Sequence, residues 1–165
     1  MVTRVIRNIN YDNIREPLGW TGPNDFSPEK ALQLEFYKAA YRCTPKYFVT
    51  SADVGALFGS TGFIDFTVQW ENQFWAFDLL REGSKLDEHI QRFAPGGLYS
   101  LLQLSDYCLL DFRRVSSMDD AIRATNATVV NRCEKLFVVC YDAGLKQVSL
   151  WYAQCNWNVL ITKGV

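Results

Sequence analysis

The chain has 165 residues, 48% of them apolar and 21% charged, with a formal net charge of −1. That is the composition and length of one globular domain, in which a single core hides roughly 70% of the unfolded chain's surface. Near-neutral charge argues against a broad, non-specific grip on nucleic acid, which needs a basic excess, and leaves room only for a local patch. No apolar run reaches the ~18 residues of a membrane span, and the start, Met1 to Arg7, lacks the long apolar core of a secretory signal.

Residues 1–26 hold turn formers such as Asn10, Asp12, Pro17, Gly19 and Pro23. They predict an irregular arm anchored by Trp20 and Phe26. Ser27-Pro28-Glu29 is a helix start, with Ser as cap, Pro at the first helical position and an acid in the first turn. This helix should run to about Arg42, with Leu32, Phe36, Ala39, Ala40 and Cys43 on one face and Glu35 at its border. Tyr47 to Thr50 is a short strand, and the glycine-bearing stretch from Ser51 to Gly62 a connection.

Residues 63–70 alternate apolar and polar, as do 73–81, and Glu71-Asn72 between them reads as a hairpin turn. Asp65 lies in the first strand and Asp78 in the second. A helix follows, with Ser84 expected as its cap and Asp87 in a capping box. Leu86, Ile90 and Phe93 form its core stripe, and Lys85, Glu88, His89 and Arg92 an adjacent polar one. Residues 98–104 suggest a short helix, Asp106–Phe112 a strand and Met118–Arg123 another short helix. Leu136–Tyr141 and Gln147–Ala153 are two closing strands.

The chemistry concentrates in the hairpin. A carboxylate inside an apolar strand is costly unless something pairs with it. Two on neighbouring strands can converge on a hard divalent cation such as Mg²⁺ or Mn²⁺, which takes one or two carboxylates plus waters and substrate phosphates. Glu35 would join if its helix crosses the same end of the sheet, and Lys85 or Arg81 would supply positive charge.

Each residue also has a plainer reading. Asp65 is then a satisfied strand-edge acid, Asp78 and Arg81 an ion pair, Glu35 a solvated helix acid and His89 a half-buried, hydrogen-bonded histidine. Glu88 and Arg92 at i, i+4 make a helix salt bridge. Trp151, Tyr152 and Trp157 pack rather than stack on bases.

The five cysteines, Cys43, Cys108, Cys133, Cys140 and Cys155, are odd in number and form no C-x-x-C pair. They read as buried hydrophobes in a reducing, intracellular compartment, cytoplasm or nucleus. Phosphate-binding glycine loops, a G-x-S-x-G elbow and H-E-x-x-H are all missing from the sequence.

The order helix, acid-bearing hairpin, helix, strand resembles the restriction-endonuclease-like core of the PD-(D/E)xK nucleases. Three segments are similar to the nuclease-like domain of Crinkler-type effectors and related fungal proteins. They are Gln33 to Ala40, Gly62 to Phe66, and Trp75 to Phe93, the last carrying Asp78-Leu79-Leu80-Arg81-Glu82-Gly83 and Glu88-His89-Ile90-Gln91-Arg92-Phe93; Gly97-Leu98-Tyr99 fits the same family's G-x-Y. The resemblance implies an α/β fold with a mixed central sheet flanked by helices. It divides one domain of 1–165 into an arm (1–26), a nuclease-like core (27–113) and a β-rich C-terminal part (114–165).

It further implies a metal-dependent phosphodiesterase acting on DNA or RNA. Asp65, Asp78 and Glu35 would hold the metal, Lys85 or Arg81 would act as the catalytic cation, and His89 and Arg92 would face the site, Arg92 toward substrate. Two departures stand out. Leu80 occupies the family's lysine position and cannot donate a hydrogen bond, and Asp78 is one methylene shorter than the usual Glu. They keep open a degenerate nuclease fold that binds protein or nucleic acid, and a homo-oligomer with an aromatic C-terminal interface.

Overall fold

The computed structural model describes residues 1–14, 28–46, 48–54, 62–116, 120, 133–142, 147–152 and 157–162. It divides into two compact units, Met1–Lys46 and Tyr47–Val165.

In the first unit the supposed irregular arm opens instead with a helix, α1 (Val2–Asn8), and a 3-10 turn at Tyr11–Asn13. Val5 and Ile6 are buried, and that apolar pair is what makes so short a helix worth ordering. Trp20 and Phe26 lie outside the described residues. The second helix, α2 (Pro28–Cys43), follows its expected bounds to within a residue. Its predicted stripe of Leu32, Phe36, Ala39, Ala40 and Cys43 is buried throughout, as a 3.6-residue period requires.

The second unit carries a seven-stranded mixed sheet in sequential order. Its strands are β1 (Val49–Val54), β2 (Ile64–Trp70), β3 (Gln73–Arg81), β4 (Asp106–Val115), β5 (Leu136–Asp142), β6 (Gln147–Tyr152) and β7 (Trp157–Thr162). The first three are antiparallel, β3, β4 and β5 run parallel, and β5, β6 and β7 are antiparallel again. The hairpin is the predicted one, closed by the pair Trp70 and Gln73. The strand expected at Tyr47–Thr50 runs on through Val54, and β7 closes the chain beyond the two strands expected there.

The helix after the hairpin, α3 (Leu86–Arg92), starts later than its sequence signals imply. Its cap position is Lys85, at φ +54°, and no side chain caps it. The backbone goes left-handed at Glu82, Gly83 and Lys85, so the residues around Ser84 form a turn, not a first helical turn. That turn is pinned to β4. The amides of Gly83 and Glu82 donate to Asp111 Oδ1 and the Phe112 carbonyl, each at 2.9 Å.

Leu86, Ile90 and Phe93 of α3 then pack against Leu80, Leu109, Leu136 and Val138 of the sheet. Leu80 and Asp78 share one face of β3, since side chains alternate, so this packing brings α3 over Asp78. Residues 98–104 are turns rather than the expected helix. Of Met118–Arg123, only Asp120, which is helical, is described.

Candidate functional site

The β2–β3 ladder pairs Phe66 with Phe77, and the next residue on each strand is an acid, Asp65 or Asp78. Opposed residues of an antiparallel pair share a face, and the charge of Asp78 acts on the Asp65 carboxyl. Asp65 is half-buried, and its Oδ2 accepts from the Leu79 amide at 2.8 Å. Asp78 is 1% exposed.

Asp78 Oδ2 lies 2.6 Å from His89 Nδ1 and 3.8 Å from Arg92 Nη1. Its Oδ1 is buried and has no hydrogen-bond partner while both acids are ionised. Ionised carboxylates only accept, so two facing each other leave lone pairs pointed at lone pairs until a proton or cation enters between them. Burial, followed by the charge of Asp78, pushes the Asp65 carboxyl up to about 7.

α3 supplies the positive side. The short contact to Asp78 assigns the His89 Nδ1 proton, so Nδ1 donates to Asp78 and cannot also accept from Arg92 Nη1, 3.4 Å away. His89 Nε2 makes no hydrogen bond among the described residues. Arg92 Nη2 donates to Glu88 Oε1 at 2.8 Å, the expected i, i+4 bridge.

Lys85 and Arg81 make other contacts. Lys85 is 68% exposed, and its one ion pair is with Glu88 Oε2 at 3.8 Å. Arg81 stands three residues past Asp78, an odd step that puts it on the other sheet face, where it meets the Tyr141 hydroxyl. The supposed Asp78–Arg81 ion pair is therefore replaced by Asp78 with His89 and Arg92.

Glu35 belongs to the first unit. It is 4% exposed, not solvated, and its Oε1 accepts from Asn13 Nδ2 and Lys38 Nζ, both at 2.9 Å. Burial alone would raise its pKa, but these hydrogen bonds and the Lys38 charge hold the carboxyl below its ordinary range. Leu80 is 2% exposed and packs in the core.

Two contributors escaped the sequence reading. Tyr99 is 2% exposed and donates to the Phe63 carbonyl at 2.7 Å. Asp111 is wholly buried, with Oδ2 2.6 Å from Arg113 Nε. An acid in the apolar strand Asp106–Phe112 was the available signal for Asp111, with Arg113 at i+2 on the same face; nothing in the sequence marks the Tyr99 hydroxyl.

Among the described residues no group of three His, Cys, Asp or Glu side chains is placed to enclose a metal. The donor set, two acids on one face with an orphaned buried oxygen on Asp78, is of the kind that a hard, oxygen-seeking cation such as Mg²⁺ or Mn²⁺ would take. Also among the described residues, no helix is long and apolar enough to cross a membrane. No family model, curated protein or solved structure matches the chain.

Proposed function

We propose that the second unit is a restriction-endonuclease-like domain of the effector type and that it hydrolyses phosphodiester bonds of DNA or RNA with Mg²⁺ or Mn²⁺, inside the cell. One observation carries this reading: Asp65 and Asp78 face each other with an unsatisfied buried oxygen between β2 and the cationic side of α3. The bound cation would polarise the phosphate and acidify a bound water. Asp65 and Asp78 hold it. His89, its Nδ1 committed to Asp78, offers Nε2 to take or give a proton at a reacting oxygen. Arg92 adds fixed positive charge for the phosphate, so α3 supplies what the family draws from the lysine that Leu80 replaces.

The test is cleavage of labelled DNA and RNA with Mn²⁺, comparing wild type with Asp65→Ala. Loss of about 100-fold or more in the variant is expected if the acid holds the metal. Equal cleavage by both proteins rejects the reading.

The packed Leu80 and the exposed Lys85 favour a second reading, a fold that has lost hydrolysis and binds protein or nucleic acid. Absence of cleavage together with retained oligonucleotide or protein binding selects it.

A further inference from the structure

On the sheet face opposite Asp78, β4 sets small side chains among large ones. Side chains alternate along a strand, so Trp75 and Phe77 of β3 point away from the Asp78 face. Their register partners on β4 are Asp106 and Cys108. On β5, Phe137 pairs with Leu110 on one side and with Tyr152 of β6 on the other. A thiol and a short acid among four large rings leave a hollow. It is a cleft of about 190 Å³, and its lining includes Trp75, Phe77, Cys108, Phe137 and Tyr152 together with Asp106 and Lys135.

The rings are braced from outside the cleft. Phe137 stacks on Tyr152 with centroids 4.2 Å apart, and Trp75 stacks on Phe48 at 6.3 Å. Phe48 in turn stacks on Trp70 at 5.3 Å, and Trp70 is 39% exposed. An aromatic row therefore leads from the surface at β2 to the cleft. Within the cleft, Lys135 Nζ lies 2.9 Å from Asp106 Oδ1, and both side chains still reach water. The pair offers a donor and an acceptor side by side with no net charge.

These features select a ligand. The volume is below the roughly 300 Å³ at which drug-sized sites begin, so the cleft suits a single ring system. Ring walls favour a flat π face, and the Lys135–Asp106 pair favours an edge that both accepts and donates. A purely apolar ring has the face and lacks the edge; a nucleobase has both. Proteins that hold single strands stack successive bases on aromatic side chains, and the row ending at Trp70 provides for a second base. We propose that this cleft takes one unpaired base of a single-stranded nucleic acid, with a further base against Trp70. The cleft lies on the other sheet face from Asp65 and Asp78, so base binding does not rest on the phosphodiesterase reading.

The test is amide NMR titration of the full chain, without metal, with adenosine, with indole and with a single-stranded tetramer of deoxyadenosine. Saturable shifts are expected around residues 75–77, 106–108 and 135–137, with the tetramer binding about tenfold or more tighter than adenosine. Trp75→Leu should weaken both about tenfold, the worth of one stacked base. Trp70→Leu should weaken the tetramer alone. Lys135→Met removes the donor and keeps the stem, so it should weaken adenosine and leave indole unchanged.

Absence of saturable shifts with adenosine, or shifts centred on other residues, overturns the proposal. Indole binding as tightly as adenosine also overturns it, since the cleft would then read only apolar rings. A tetramer no tighter than adenosine removes the single strand as occupant. Should Trp75→Leu fail to fold, the more exposed Trp70→Leu and Lys135→Met still decide. If the protein cleaves nothing with Mn²⁺, the phosphodiesterase reading falls by itself and these titrations are unaffected.

Discussion

Asp65 and Asp78 are each tolerable alone, and their difficulty is each other. Asp78 is compensated by His89 and Arg92, whereas the Asp65 carboxyl loses water on burial and also feels the negative charge of Asp78. That carboxyl therefore rises from 3.8 to about 7 on folding. The folded protein then binds more protons than the unfolded chain between those values, so this acid's contribution falls as pH rises through that window.

In chelator-treated protein, urea unfolding of wild type and Asp65→Asn should diverge from pH 4 to pH 7, the variant gaining relative stability as pH increases. A stability difference independent of pH, or one that moves in favour of wild type as pH rises, would contradict the coupling. The sequence made the two acids visible through their cost inside apolar strands. It could not assign their partner, because His89 and Arg81 are both near Asp78 in the chain, and only strand parity and the placement of α3 separate them.

At the scale of elements, the hairpin was legible because two alternating runs flanked a two-residue turn. The start of α3 was not. Ser84 and Asp87 match a local capping pattern, but Asp111 and Phe112, some 28 and 30 residues further on, capture the amides of Gly83 and Glu82 and hold the chain in a turn. The expected helix at 98–104 failed for a similar reason. That segment is drawn back along the C-terminal end of α3 by the bond from the Tyr99 amide to the Arg92 carbonyl.

Gly97 permits this return. A Cβ there would lie 2.2 Å from the Gln91 carbonyl oxygen and 2.6 Å from that of Arg92, and backbone atoms cannot swing aside. Gly97→Ala should cost about 1–3 kcal/mol, the range for forced overpacking, measurable by urea denaturation. A loss below ~0.5 kcal/mol, the noise of a neutral surface change, would show that the return of the chain over α3 is not tight.

At the scale of the molecule, the α/β class with a mixed sheet was an expectation of the family resemblance, in keeping with strand runs separated by helices, and the buried stripe of α2 follows from its period. β7 and the opening helix α1 were missed, being short and weakly patterned. Glu35 stood open between a solvated helix acid and a metal ligand, and the sequence did not reveal its partners Asn13 and Lys38, which come from a 3-10 turn and from the next turn of the same helix. With a net charge of −1, the chain has no general attraction for polyanions. Its proposed activity would therefore depend on local charge, from a cation that Asp65 and Asp78 would hold and from the basic side chains His89 and Arg92 of α3.

That dependence makes direct cation binding the decisive measurement. Isothermal titration of Mn²⁺ into wild type, Asp65→Asn and Asp78→Asn is expected to give saturable, stoichiometric heat for wild type and to lose it in both variants. No saturable heat for wild type, or equal heat in all three proteins, would contradict a hard-ion site between the two carboxylates.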